Sequence, residues 1–422
     1  MKNSRLILKQ QPQVLSLLLS ATIALGSSGL LAQVAWAANK FEMYSTSAEK
    51  AYGAQDYPEA EKNFLEALNE SGKLEKGDKR PATTMYNLAL VYQAQGKYKE
   101  AEDMFVKAKD AFVGFYGADH QRVGQVYLDM ADLYVQQAGE DAKPELRTKA
   151  AENYKNAIAV FEKIYAQATG QAPAEEKKPE ATELKPKTTA EGDDKKKEAK
   201  QADSGKSPAQ EAASNLASAI RSLAGFYAEN DEFTPAEPLY TRMLELDDFA
   251  YGGEDKQIVK DKAQVAEFYC VQGKYKPATP LFEQAVALSE KVNGPESLET
   301  AQILYNFGGL QYDEGTFNEA ERMFKLAIKI FEKNNHDEND VAMKSIALAD
   351  VLDMQSKSEE AQTVYKKSIA SLEKNDDPAG LIACLKGYQK HLLILNRKDE
   401  ATKVGARIKE LKAGANKKAA QE

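Results

Sequence analysis

The chain is poor in the residues that carry most protein chemistry. Its 422 residues include three histidines, two cysteines and one tryptophan. None of the histidines, His120, His336 and His391, has a carboxylate or cysteine at evident ligand spacing, so the sequence offers no metal site. There is no GxSxG, no HExxH and no Walker-type phosphate loop. Gly252-Gly253 reads as a turn and Gly308-Gly309 as a close helix contact. No catalytic residue and no cofactor site can be named, so the chain reads as a non-enzyme. The acidic balance, 65 Asp and Glu against 56 Lys and Arg, excludes general nucleic-acid binding, which needs a basic footprint. After one N-terminal run there is no second apolar stretch long enough to span a bilayer.

What the chain has in quantity is a repeat. The stretch from Thr83 to His120 reads as two amphipathic helices and a tight turn. Leu88, Ala89 and Tyr92 lie before the turn Gly96-Lys97-Tyr98, and Ala101, Phe105 and Ala108 follow it. Gly96 supplies the left-handed residue that ends the first helix. Small residues let the two helices approach, and large ones fill the space beside them. The turn residue and the Ala three positions later recur as Tyr57/Ala60, Tyr98/Ala101, Phe233/Ala236, Tyr275/Ala278 and Phe317/Ala320. Weaker copies stand at Ser358/Ala361 and Lys398/Ala401. The period is about 40 to 42 residues. Tyr92, Phe105, Tyr227, Tyr240, Tyr269, Phe282 and Phe324 occupy packing positions and read as core.

This spacing of small and large residues resembles the tetratricopeptide repeat (TPR). The extra length, with loops such as Tyr116-Gly117-Ala118-Asp119-His120 and Tyr251-Gly252-Gly253-Glu254-Asp255, is similar to the kinesin-light-chain type. The resemblance covers most of residues 41–413. It implies an all-α, right-handed TPR superhelix of about eight helix pairs that binds a protein or peptide in a concave groove lined by first helices. Counting from the packing positions, the groove candidates are Tyr86, Asn87, Leu90 and Gln93 in repeat two, and Tyr305, Asn306, Gly309 and Tyr312 in repeat six. The kinesin-light-chain likeness implies that an Asn at the place of Asn87 and Asn306 holds a bound peptide's backbone. Repeats three, four, five and seven have Asp129, Ser222, Gln264 and Ala347 there, so the Asn ladder is broken. Further groove positions carry Asp129, Asp132, Glu229, Glu267, Asp313, Asp350 and Asp353 against only Arg221 and Lys260. Such an acidic wall, its side chains turned away from helix packing, would favour a basic or polar partner.

The ends and the middle of the chain differ from the repeats. Residues 1–37 resemble a secretory signal peptide: Lys2, Arg5 and Lys9, an apolar run from Val14 to Leu25, then Ala35-Trp36-Ala37. Cleavage would remove three positive charges from a net charge of −9, leaving −12. A bacterial-type periplasmic or extracellular location follows from that reading. Repeats one to three are expected over 41–166 and repeats four to eight over 212–413. Between them, 167–211 is a Lys/Glu/Ala/Pro-rich segment with too little apolar surface to offset the entropy of ordering, so it reads as a disordered linker. Repeat three's second helix is apolar on more than one face, which predicts that repeat four stacks on it and the linker loops out. The last helix, about 399–413, keeps one apolar stripe of Val404, Ile408 and Leu411, as a terminal cap does. Residues 414–422 read as a polar tail. Cys270 and Cys384, three repeats apart, are expected to be unpaired. The alternative to peptide binding is a structural role in the cell envelope through self-association.

Overall fold

The computed structural model describes residues 28–74, 77–139, 143–170 and 206–419. The charged leader and apolar run at 2–25, most of the predicted linker and the last three residues lie outside them. Every regular element among the described residues is an α-helix, and the sixteen helices pair off as the repeat predicts. They are α1 (Ser28–Gly53), α2 (Tyr57–Ser71), α3 (Arg80–Ala94), α4 (Tyr98–Tyr116), α5 (Gln121–Ala138), α6 (Pro144–Thr169), α7 (Pro208–Glu229) and α8 (Phe233–Tyr251). There follow α9 (Lys256–Val271), α10 (Tyr275–Val292), α11 (Leu298–Asp313), α12 (Phe317–Lys333), α13 (Glu338–Met354), α14 (Ser358–Lys374), α15 (Pro378–Ile394) and α16 (Lys398–Ala419).

The turn between paired helices is one recurring device. The recurrent turn residues Tyr57, Tyr98, Phe233, Tyr275, Phe317, Ser358 and Lys398 are each the first residue of a second helix. Just before each, one residue takes a positive φ: Gln55, Gly96, Asp231, Gly273, Gly315, Ser356 and Asn396. The amide that follows reaches back to close the helix end, as in Lys97 N–H to the Tyr92 carbonyl at 2.9 Å and Lys274 to Tyr269 at 2.9 Å. This left-handed closure is cheapest with Gly, and the non-Gly copies carry a strain of about 1 kcal/mol. The loops between repeats end in side chains that cap the next first helix. His120, Asp255, Ser297, Asp337 and Asp377 each accept a backbone N–H two or three residues on. A cap of this kind contributes about 1 kcal/mol.

Packing follows from the small residues. Ala60, Ala101, Ala236, Ala278, Ala320, Ala361 and Ala401 are all buried, as are the seven aromatics read as core. At Gly308 a β-carbon would meet the Phe324 ring at 2.9 Å, whereas Gly309 faces open space. Gly308 is therefore the close helix contact, and Gly309 is not.

The helices form two compact units, α1–α8 and α9–α16, dividing at the end of α8. In the first unit α6 packs on α7: Tyr154 lies 5.7 Å from Phe226, and Arg147 pairs with Glu232 at 3.0 Å. Repeats three and four thus lie in one unit, and the division falls at Ala250/Tyr251. The linker's edges are also narrower than expected, because α6 runs to Thr169 and α7 opens at Pro208, capped by Ser207. The second unit is stitched by ion pairs that repeat with the helices: Lys291–Glu254, Lys333–Glu296 and Lys374–Glu338. These are exposed and worth at most about 1 kcal/mol each, so they define register more than stability. At its end α16 continues to Ala419, six residues beyond the expected stop at 413, with Ile408 buried.

Candidate functional site

In the first unit, α3 and α5 meet along a polar seam. Residues 86, 90 and 93 share one face of α3, and 125, 129, 132 and 136 one face of α5, by helical spacing. Tyr86 Oη donates to Asp129 Oδ2 at 2.6 Å, and Gln125 Nε2 donates to the same oxygen at 3.2 Å. Gln93 Nε2 donates to Gln136 Oε1 at 3.0 Å. Tyr86, Asn87, Gln93 and Asp129 are all buried, Asp129 with 6% of its surface exposed. Burial pushes the Asp129 carboxyl up to about 7, against the opposing hydrogen bonds from Tyr86 and Gln125. Burial and then the Asp129 charge raise the Tyr86 phenol well above its ordinary value. Two acceptors in the seam, Asn87 Oδ1 and Gln93 Oε1, are buried without a protein partner. An unmade hydrogen bond of this kind costs about 1–3 kcal/mol, so each needs a reason.

The expected acidic wall is largely closed from within. Tyr154 of α6 donates to Asp132 at 2.5 Å, and Tyr365 of α14 donates to Asp350 at 2.6 Å. Both tyrosines occupy the second-helix core position that Phe105, Phe282 and Phe324 fill elsewhere. In these two repeats the hydroxyl reaches the carboxylate that follows the small residue of the first helix, Ala131 or Ala349; Tyr240 holds the same position in α8, where Gly225 follows Ala224. Burial raises both phenols first, with the neighbouring carboxylate adding to it. Asp353 faces His391 Nδ1 at 2.6 Å, with His391 fully buried. Asp129, Asp132, Asp350 and Asp353 are therefore internal acceptors. The expectation that these side chains point away from helix packing is corrected, because a half-buried or buried carboxylate keeps its charge only by finding donors.

The remaining candidates are distributed over both units. Glu229, Glu267 and Asp313 are exposed, while Gln264, Tyr305, Asn306 and Tyr312 are half-buried. Asn306 accepts from Gln302 at 2.8 Å and donates to Glu267. Glu267 reaches solvent, yet the flanking helices displace enough water to raise its carboxyl, an effect the Asn306 bond opposes. The Tyr305 ring lies 5.1 Å from that of Phe324, tilted by 51°, and Lys344 Nζ sits 5.0 Å from the Tyr305 ring centre. Tyr312 packs on Phe317 at 5.7 Å. The structure thus joins Tyr86, Gln93 and Asp129 in the first unit and Asn306 with Glu267 in the second.

Two histidines have carboxylate partners that the sequence reading did not credit. His336 Nε2 lies 2.7 Å from Asp340, one helical turn on, and His391 pairs with Asp353. The first pairing was legible as an i, i+4 spacing; the second joins neighbouring first helices and was not. Among the described residues no group of three or more His, Cys, Asp or Glu could hold a metal ion. Cys270 and Cys384 are free, and burial pushes their thiols up to about 11 and about 12. The reading also passed over α15, where Lys386, Lys390, Leu393 and Ile394 are all exposed.

A family model described as tetratricopeptide repeat matches residues 33–112, 80–143 and 262–333. Among solved structures, a signal-transduction ATPase of Pyrococcus horikoshii with a tetratricopeptide repeat sensor is 11% identical, with a TM-score of 0.54, over 90% of this chain and 54% of that one. A putative kinesin light chain with TPR-like repeats from Podosopora anserina is 17% identical over 49% of this chain and 98% of that chain, at a TM-score of 0.45. The apo form of the quorum sensor NprR from B. thuringiensis is 13% identical over 88% of this chain and 87% of that chain, at 0.47. No curated protein matches. The family model thus places tetratricopeptide repeats in residues 33–143 and 262–333, and the Pyrococcus horikoshii structure agrees with the all-α helix-pair fold described above.

Proposed function

We propose that this protein is an exported, non-catalytic scaffold that holds an extended segment of a partner protein along its first-helix face. One observation carries the reading: Gln93 Oε1 on that face and Asn87 Oδ1 beside it are acceptors without a partner among the described residues. Backbone N–H groups of a bound segment would satisfy them, and a segment with basic or polar residues could also face the exposed Glu229. Asp129 and Asp132 add little to that attraction, since tyrosines already hold them.

Export rests on the leader-like residues at the start and on the length of α1. The other first helices run 15 to 22 residues, whereas α1 has 26. Cleavage after Ala37 would leave Ala38–Gly53, a first helix of ordinary length. No helix among the described residues is long and apolar enough to cross a membrane.

Immobilised full-length chain and an Asn87→Ala/Gln93→Ala variant, both checked for native helicity, test the binding reading with the native envelope fraction. The wild type should retain a partner that the variant loses. Equal retention by both chains would remove the α3 seam from the account.

A further inference from the structure

In the second unit, α15 carries a surface that the fold does not need. Its inner side, Leu381, Cys384, Leu385 and Leu392, is buried in the core of the last repeats. Its outer side is Lys386, Lys390, Leu393 and Ile394, spaced i, i+4, i+7 and i+8, and all four are exposed. Leu393 and Ile394 show 54% and 55% of their surface, and Met354 at the end of α13 shows 53%. The Asp353–His391 contact at 2.6 Å ties the end of α13 to the end of α15. Neither Lys386 nor Lys390 forms an ion pair among the described residues, whereas Lys357, Lys367, Lys374 and Arg407 nearby all do. Clustered large apolar side chains in water mark an interaction surface.

We propose that this strip docks an acidic segment of a partner protein, in which carboxylates meet Lys386 and Lys390 and adjoining large apolar side chains cover Leu393 and Ile394. Charge complementarity chooses the partner: two unpaired cations lead into an apolar patch, on a chain whose net charge is −9. A basic segment would be repelled at the lysines while gaining the same apolar cover, so the strip discriminates by charge. This inference does not depend on the α3 seam, which lies in the other unit, and either can fail alone.

Fluorescence anisotropy with full-length protein tests it. The probes are a short labelled peptide with two Glu followed by two Leu, and its counterpart with Lys in place of Glu. The acidic probe should bind, and Lys386→Glu/Lys390→Glu should weaken it at least about tenfold while improving the basic probe. Leu393→Ser/Ile394→Ser should weaken both. Equal binding of the two probes, or an acidic probe indifferent to both variants, would overturn the proposal. So would a wild-type chain that ignores the acidic peptide but binds vesicles of anionic lipid, or a dimer by light scattering that Leu393→Ser/Ile394→Ser dissolves.

Discussion

In α5, Asp132 follows Ala131; in α15, Lys390 follows Gln389 at the same place in the repeat. Asp132 accepts from the Tyr154 hydroxyl of the paired second helix. Lys390 stands in water. One frame thus puts the same position to two uses. Within the first unit a second-helix tyrosine turns the carboxylate inward, and together with the Tyr86–Asp129 bond it makes the seam part of the packing. In α16 the position that carries Tyr154 in α6 is Gly405, so the paired second helix offers no side chain to Lys390, which stays exposed. The repeat therefore fixes where a side chain starts, and the partner on the neighbouring helix fixes whether it is core or surface.

The largest test of that difference is pH. The unfolded Asp129 carboxyl titrates near about 3.9, while burial holds the folded one at about 7. The folded state keeps a proton that the unfolded state has lost, so this group's effect is a loss of stability as pH rises from about 4 to about 7. Above about 7 the loss is complete. Asp129 is packed against Tyr86, Gln125 and Asp132, and only the last adds to the shift electrostatically. Urea unfolding across that range should show the wild type losing on the order of 2–4 kcal/mol relative to Asp129→Asn. Parallel profiles for the two chains would mean that Asp129 is not the enclosed carboxyl described here.

A smaller effect compares the tyrosine device between units. Tyr154→Phe and Tyr365→Phe each remove a donor from a carboxylate while leaving the ring in place. Each should cost about 1–3 kcal/mol, because the hydrogen bond to a charged group is lost and the carboxylate is left half-buried. Pairing each with Asp132→Asn or Asp350→Asn in a double-mutant cycle should recover a coupling of about 1 kcal/mol. A coupling in one unit and none in the other would show that the two contacts are not the same device.

Much of the fold could be read from the residues alone. The turn positions Tyr57, Tyr98, Phe233, Tyr275, Phe317, Ser358 and Lys398 open the second helices, even in the copies without an aromatic. That succeeds because helix ends and close contacts depend on local chemistry: a left-handed residue, then an alanine that nothing larger can replace. The site was less legible. Groove positions could be counted, but whether Asp132 or Asp350 faces solvent depends on a tyrosine 15 to 22 residues away. The available signal was a pair: Tyr154 and Tyr365 at the second-helix position together with Asp132 and Asp350 after the first-helix alanine, a combination that Tyr240, matched with Gly225, lacks. The division at Ala250/Tyr251 falls at the Tyr251-Gly252-Gly253-Glu254-Asp255 loop, but a similar loop, Tyr116 to His120, lies inside the first unit, so the loop alone did not mark it. The Lys398/Ala401 copy gave the eighth repeat its register, but the strip on α15 lacks the consensus small and aromatic residues that drew attention to the other first helices.

The central claim is that the first-unit carboxylates belong to the packing and the last-repeat lysines to the surface. Reversing charge in both places and measuring urea unfolding of the full chain tests it most directly. Asp129→Lys should lose about 3–5 kcal/mol, the cost of a buried charge with no partner, while Lys386→Glu/Lys390→Glu should stay within about 0.5 kcal/mol of wild type. Equal losses in the two variants, or a stable Asp129→Lys chain, would contradict the account.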